Sequence, residues 1–228
     1  MRVQPGLLGL HSNLLQSSPP VESIMSYRDF KTVAEVTTKF GIKVNKKPFI
    51  DTLSLKITPI YFTDITEKLN STISFINEVA TCEDIIKPIL NLVEKKYDAL
   101  HVWSHVTYNV NKEKGLVGEP DYLIAPMTVQ ALMSIPPICV IEAKQEKFDE
   151  GWAQALAEMI AASSQGMATC YSIVTTGKAW EFAKLENNVF TKVPNQISAT
   201  DNLQKVFDTL NWLFDRANKL LRNELKTT

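Results

Sequence analysis

The apolar positions along the chain change period several times, and each change marks an element. The longest helical pattern covers residues 71–97, where Ile73, Ile76, Val79, Ala80, Ile86, Leu90 and Val93 fall on one stripe and are expected to face a core. Pro88 lies inside it and should kink or split the helix. Residues 27–40 place Phe30, Val33, Ala34, Val36 and Thr37 near helical spacing, with Gly41 as a stop. Residues 49–62 are rich in Ile, Leu, Thr, Tyr and Phe with partial alternation, predicting a strand or edge segment whose second half Pro59 weakens. Residues 99–110 alternate, and the turn Asn111 to Gly115 closes that strand. Strands follow at 120–126 and 137–144. An alanine-rich helix covers 151–163, with Trp152, Ala155, Leu156 and Met159 inward. Residues 169–175 and 179–184 flank Thr176-Gly177-Lys178 and predict a hairpin. An amphipathic helix over 201–224 turns Leu203, Val206, Phe207, Leu210, Leu213, Phe214, Leu220 and Leu221 to the core. The order of helix, strands, helix, strands, helix suits an α/β fold with a central mixed sheet covered on both faces.

Length and charge narrow this picture. With 228 residues, one domain over 25–228 is the simplest organisation. Residues 1–24 show no periodicity, contain Ser17-Ser18-Pro19-Pro20 and lack the basic start and unbroken apolar stretch of a signal peptide. They are expected to form a disordered extension, with Met25 an alternative start. A net charge of −1 leaves no broad basic surface for polyanions, so any nucleic-acid contact must come from a local patch. The three cysteines, Cys82, Cys139 and Cys170, are widely spaced in apolar surroundings and read as buried thiols of a cytoplasmic protein. No apolar run is long enough to cross a bilayer, so no membrane partner is expected.

The chemistry is concentrated between Gly118 and Gln154. Gly118-Glu119-Pro120-Asp121 opens one apolar run, and Ile138-Cys139-Val140-Ile141 leads to Glu142-Ala143-Lys144 at the end of another. Residues two apart on a strand project to the same face, so Glu142 and Lys144 stand side by side. Asp121 joins them if the two strands are neighbours. Two carboxylates can hold a divalent metal on oxygen, and a lysine beside them can position a water. That set suits metal-assisted hydrolysis, above all of a phosphodiester.

Pro120-Asp121, Glu142-Ala143-Lys144 and Gln154 together resemble the PD-(D/E)XK nuclease superfamily. Within it the likeness is to the nuclease domain at the start of type I restriction motor subunits and their stand-alone relatives. Further fragments in the same order carry it: Asn77-Glu78-Val79-Ala80-Thr81 before Ile86-Lys87-Pro88-Ile89-Leu90, then Gly151-Trp152-Ala153-Gln154, then Thr175-Thr176-Gly177-Lys178-Ala179-Trp180-Glu181-Phe182. The resemblance spans residues 70 to 185. It departs at Cys82, where such relatives often have Arg. It implies a three-layer α/β/α sandwich of the restriction endonuclease-like kind and an endonuclease that hydrolyses DNA with Mg²⁺, for which Mn²⁺ would substitute. Asp121, Glu142 and the Ala143 carbonyl would bind the metal, with Glu78 binding directly or through water. Lys144 would orient the attacking water, and Gln154 would orient water or substrate.

Each residue also has an ordinary reading. Asp121 can cap the turn after Pro120. Glu142 and Lys144 can form a surface ion pair, although a carboxylate after four apolar residues is seldom left without a partner. Glu78 can be a helix-start glutamate favoured by the helix dipole, with Glu83 as a competitor for its role. Gln154 can be a solvated helix residue. His101 and His105 flank Trp103 on one strand face but lack a third zinc ligand. Lys205, Arg216, Lys219 and Arg222 read as a solvated helix face, whereas Lys112, Lys114, Lys147 and Lys178 are the candidate phosphate contacts. Two other functions stay open: a catalytically inactive nuclease-fold protein that binds nucleic acid, and an interaction subunit or homodimer built on the terminal helix with Trp212 and Phe214.

Overall fold

The computed structural model describes residues 25–227, so the expectation for residues 1–24 lies outside the described residues. Helices α1 (Val33–Phe40), α2 (Pro59–Leu69), α3 (Glu78–Thr81), α4 (Lys87–Glu94), α5 (Phe148–Ser164) and α6 (Leu203–Thr227) surround an eight-stranded sheet. The strands are β1 (Lys43–Lys46), β2 (His101–Ser104), β3 (Tyr122–Ala125), β4 (Cys139–Ala143), β5 (Thr169–Thr175), β6 (Ala179–Glu186), β7 (Val189–Lys192) and β8 (Ile197–Ser198). Their order is β1-β7-β6-β5-β4-β3-β2, with β8 on β6. Pairings β1·β7 and β4·β5 are parallel and the others antiparallel, so the sheet is mixed.

Helices cover both faces, and β5 shows how. Gly151 of α5 lies against Val174, while Tyr171 meets Trp212 of α6 edge to face. Residues 171 and 174 are an odd number apart and point to opposite faces. Helix α1 packs beside α5, and α4 packs against α6. The parallel register pairs Glu142 with Val174, which puts Glu142 on the α5 face.

Several expectations change. Residues 49–62 form no strand. The backbone of Leu53 to Leu55 bonds to α6 instead: Leu53 N–H donates to the Asp208 carbonyl, Leu55 N–H donates to the Asp208 carboxylate, and the Asn211 amide donates to the carbonyls of Leu53 and Ser54. Pro59 starts α2, where its missing N–H would have had no intrahelical partner. The predicted strand 99–110 shortens to β2 because His105 takes a left-handed backbone, φ 51°. The helix expected over 27–40 becomes a 3-10 turn at Tyr27–Asp29 followed by α1, and Gly41 ends α1 at φ 68°. Within 71–97 a 3-10 turn (Ile73–Phe75) precedes α3, and a π-helical segment (Cys82–Ile86) leads into α4 just before Pro88. Cys82, Ile86, Leu90 and Val93 are buried, but Ile73, Ile76 and Val79 face solvent, so the first half of the predicted core stripe does not reach the core.

Candidate active site

Asp121 and Glu142 meet through strand register. Strands β3 and β4 are antiparallel with Tyr122 opposite Ile141, so Asp121, one residue before β3, falls opposite Glu142 near the end of β4. The Asp121 carboxylate accepts the Ala143 N–H at 2.8 Å, which ties the two strand ends together. Asp121 is 5% exposed and Glu142 4%. Bare carboxylates this deep are costly, and the compensation is visible. Lys144 Nζ lies 3.0 Å from Glu142 Oε2, 3.9 Å from Asp121 Oδ2 and 3.9 Å from Glu78 Oε1. The three acidic residues thus converge on one ammonium.

Each of these groups is placed by a local device. Asn77 caps α3 by accepting the Ala80 N–H at 2.8 Å, and Glu78 follows as its first residue. Helix α5 starts at Phe148, which places Gln154 in its second turn rather than its first. Gly151 lets that helix approach the sheet: a Cβ there would lie 2.7 Å from Val174 Cγ1 and 2.9 Å from Lys144 Cγ. The β5–β6 turn is fastened from inside. Thr175 Oγ1 accepts the Gly177 N–H, and the Trp180 indole N–H donates to the Gly177 carbonyl, both at 2.9 Å. The Thr-Gly-Trp motif therefore acts on the shape of the hairpin.

The site contains a residue that the sequence reading missed. Glu158, 1% exposed, lies one turn beyond Gln154 on the same face of α5, close to the Glu142 carboxyl. Glu158 Oε2 and Gln154 Oε1 are buried without a protein hydrogen-bond partner. The available signal was a glutamate within the otherwise apolar run Ala155 to Ala162, four residues after Gln154.

Burial and the Asp121 charge push the Glu142 carboxyl up to about 7 despite Lys144. Burial and the charge of Glu142 raise Glu158 well above the ordinary glutamate value. Burial also raises Glu78. For Lys144, burial disfavours the ammonium, but Glu142, Asp121 and Glu78 outweigh it and hold the group above the ordinary lysine value. A divalent ion on the same carboxylates would act in the opposite direction.

A cleft of about 770 Å³ opens over this cluster, lined among others by Glu78, Lys144, Gln154, Arg28, Lys147 and Lys178. Of the lysines expected to contact phosphate, Lys147 and Lys178 are here, whereas Lys112 lines a separate hollow with Asn109, Val110 and Val117. Glu83 is exposed and Glu78 is the glutamate in the cleft. His101 and His105 each face a carboxylate, Glu94 at 3.2 Å and Glu119 at 3.8 Å. The three cysteines are free and buried.

Among the described residues no three His, Cys, Asp or Glu side chains stand together as a metal-ligand group. Lys144 stands among the acidic residues here. Magnesium, however, needs only one or two carboxylates, completing its shell with water and phosphate oxygens. Two buried carboxylates, Asp121 and Glu142, with Glu78 reaching the same ammonium, fit that demand.

No protein-family model and no curated protein matches the chain. Among solved structures, a likeness covers 66% of this chain and 14% of a chain in the cryoEM structure of a DrdV–DNA complex, at 13% identity and a TM-score of 0.41. This chain therefore matches only a small part of that protein's length. Among the described residues no helix is long and apolar enough to cross a membrane.

Proposed function

We propose that the protein is a metal-dependent nuclease that hydrolyses phosphodiester bonds in DNA, with the PD-(D/E)XK type of site that the sequence resembles. The observation that carries this reading is the convergence of Asp121, Glu142 and Glu78 on Lys144, which with Glu78 lines an open cleft. Asp121, Glu142 and the Ala143 carbonyl would hold Mg²⁺ or Mn²⁺, with Glu78 contributing directly or through water. When bound, the metal supplies charge stabilisation at the phosphate and a water of lowered pKa.

The chain's own residues do the rest. Lys144 Nζ donates a hydrogen bond to the attacking water and holds it beside the phosphorus. Its contacts with the carboxylates fix the side chain before substrate arrives, so little is left to order during the reaction. Gln154 offers a buried carbonyl oxygen that can accept a hydrogen bond from the same water or from substrate and so orient it. Glu158, buried beside Glu142, would steady its orientation from behind, as outer-shell groups do for metal-binding carboxylates.

The test is Mn²⁺ titration calorimetry together with cleavage of linear, supercoiled and single-stranded DNA. Asp121→Ala and Glu142→Ala should abolish cleavage and weaken Mn²⁺ binding. Lys144→Ala should abolish cleavage while Mn²⁺ still binds, and Gln154→Ala should be milder. Ca²⁺ should bind but support cleavage poorly, because its larger, looser shell places water less well. Equal Mn²⁺ affinity in wild type and Glu142→Ala would remove the metal site and the nuclease assignment with it.

A further inference from the structure

The solvent-facing half of the predicted core stripe belongs to the segment that borders the cleft through Phe75, Glu78 and Thr81. Ile73, Ile76 and Val79 are 71%, 66% and 65% exposed and recur every third residue from the 3-10 turn, across the extended Asn77, into α3, an apolar ridge in this segment. Phe75 and Glu78 of the same segment line the cleft. Isolated exposed apolar residues are ordinary, but three within the seven residues 73–79 of a segment that borders a polar site point to a contact surface. The segment is held firmly. Thr81 Oγ1 donates to the Ser74 carbonyl at 2.9 Å, Ser74 Oγ donates to Asp84 at 2.9 Å, and the β5–β6 turn closes on it through Gly177, where a Cβ would lie 2.7 Å from Thr81 Cγ2 and 3.3 Å from Phe75 Cε1.

The charges around the ridge select its occupant. Lys178 Nζ stands 4.2 Å from the centre of the Phe75 ring, and neither Lys178 nor Arg28 has a carboxylate within ion-pair distance among the described residues. Two uncompensated cations, an aromatic ring and an apolar ridge beside one cleft match a chain of phosphates bearing exposed flat bases. A base pair in a duplex hides its faces by stacking, whereas an unpaired base offers them to apolar and aromatic side chains.

Building on the nuclease reading, we infer that the cleft takes a single-stranded segment of nucleic acid, with unpaired bases against Phe75 and the Ile73–Ile76–Val79 ridge and flanking phosphates on Arg28 and Lys178. Binding of a fluorescein-labelled 12-nucleotide dT strand and of a blunt duplex of equal length, followed by anisotropy without divalent metal, tests this apart from catalysis. The wild type should bind the single strand roughly tenfold tighter than the duplex. The double variant Ile73→Ser/Ile76→Ser should lose roughly fivefold or more of the single-strand affinity, as expected for a lost base contact, while keeping its melting temperature and its duplex affinity. Lys178→Ala should weaken both ligands. Duplex bound as tightly as single strand, or a ridge variant with unchanged single-strand affinity, overturns the inference. The latter result is also the one expected if the ridge docks a protein. If strand binding behaves as stated but no metal supports cleavage, the nuclease reading fails and this one stands.

Discussion

Glu142 is the residue whose energetics are most exposed to measurement. Its carboxyl is buried beside Asp121 and Glu158, and its pKa is raised to about 7 from an ordinary 4.5. The folded protein therefore holds a proton that the unfolded chain would release, and this contribution to stability is complete below pH 4.5 and is lost as pH rises through 7. Glutamine keeps the shape and removes the titration. Glu142→Gln should match wild type in urea unfolding at pH 5 and gain relative to it at pH 8, with the difference growing by on the order of 2–3 kcal/mol. A constant difference across that range would place the titration elsewhere. Saturating Mn²⁺ should stabilise wild type most at the higher pH, because the ligand must be deprotonated to bind.

At the scale of elements, the site depends on two close approaches that only glycine permits. Gly151 lets α5 sit against β5 and the Lys144 stem. Gly151→Ala must push the helix or the lysine away. It should cost about 1–3 kcal/mol in denaturant unfolding, as overpacking does, and lower the cleavage rate more than its stability loss explains. Gly177 has φ 78° as well as a tight neighbour, so Gly177→Ala combines backbone strain with a clash against Thr81. Its effect should fall on the hairpin and on the adjoining 3-10 turn, both of which border the cleft.

Across the whole molecule, a net charge of −1 coexists with a cleft carrying Arg28, Lys147 and Lys178. Lys147 is partly neutralised by Glu150 at 3.0 Å, an exposed pair of little energetic weight that a phosphate can replace. Nucleic-acid affinity should therefore be modest and fall steeply with salt. In a plot of log affinity against log salt, Arg28→Ala/Lys178→Ala should flatten the slope by about 1.4–1.8, since each lost phosphate contact removes roughly 0.7–0.9. A slope unchanged by the double substitution would mean that the backbone is bound on another face.

The local patterns were enough for the elements whose neighbours simply agree with them. The β5–β6 hairpin, α6, the separate strands β3 and β4 and the stop at Gly41 follow from period and turn chemistry, and strand periodicity aligns Glu142 with Lys144, whereas Asp121 joins them only through the β3–β4 pairing of the folded sheet. What the sequence could not decide was which competing partner satisfies a segment. Residues 49–58 have strand composition, yet Asp208 and Asn211 on α6, some 150 residues away, take the backbone bonds of Leu53 to Leu55. Ile73, Ile76 and Val79 continue a helical stripe, but the turn through Ser74 and Thr81 rotates them outward, because periodicity records a face and not what lies opposite it. Glu158 looked like one polar residue in an alanine helix until the sheet placed Glu142 beneath it. Likewise Arg28, in a turn near the start of the described chain, enters the cleft only because Tyr27 N–H donates to the Val117 carbonyl and Tyr27 stacks on Tyr108. Local propensity depends on adjacent residues, whereas burial and charge pairing depend on distant ones, and those are brought together only when the sheet and its covering helices close.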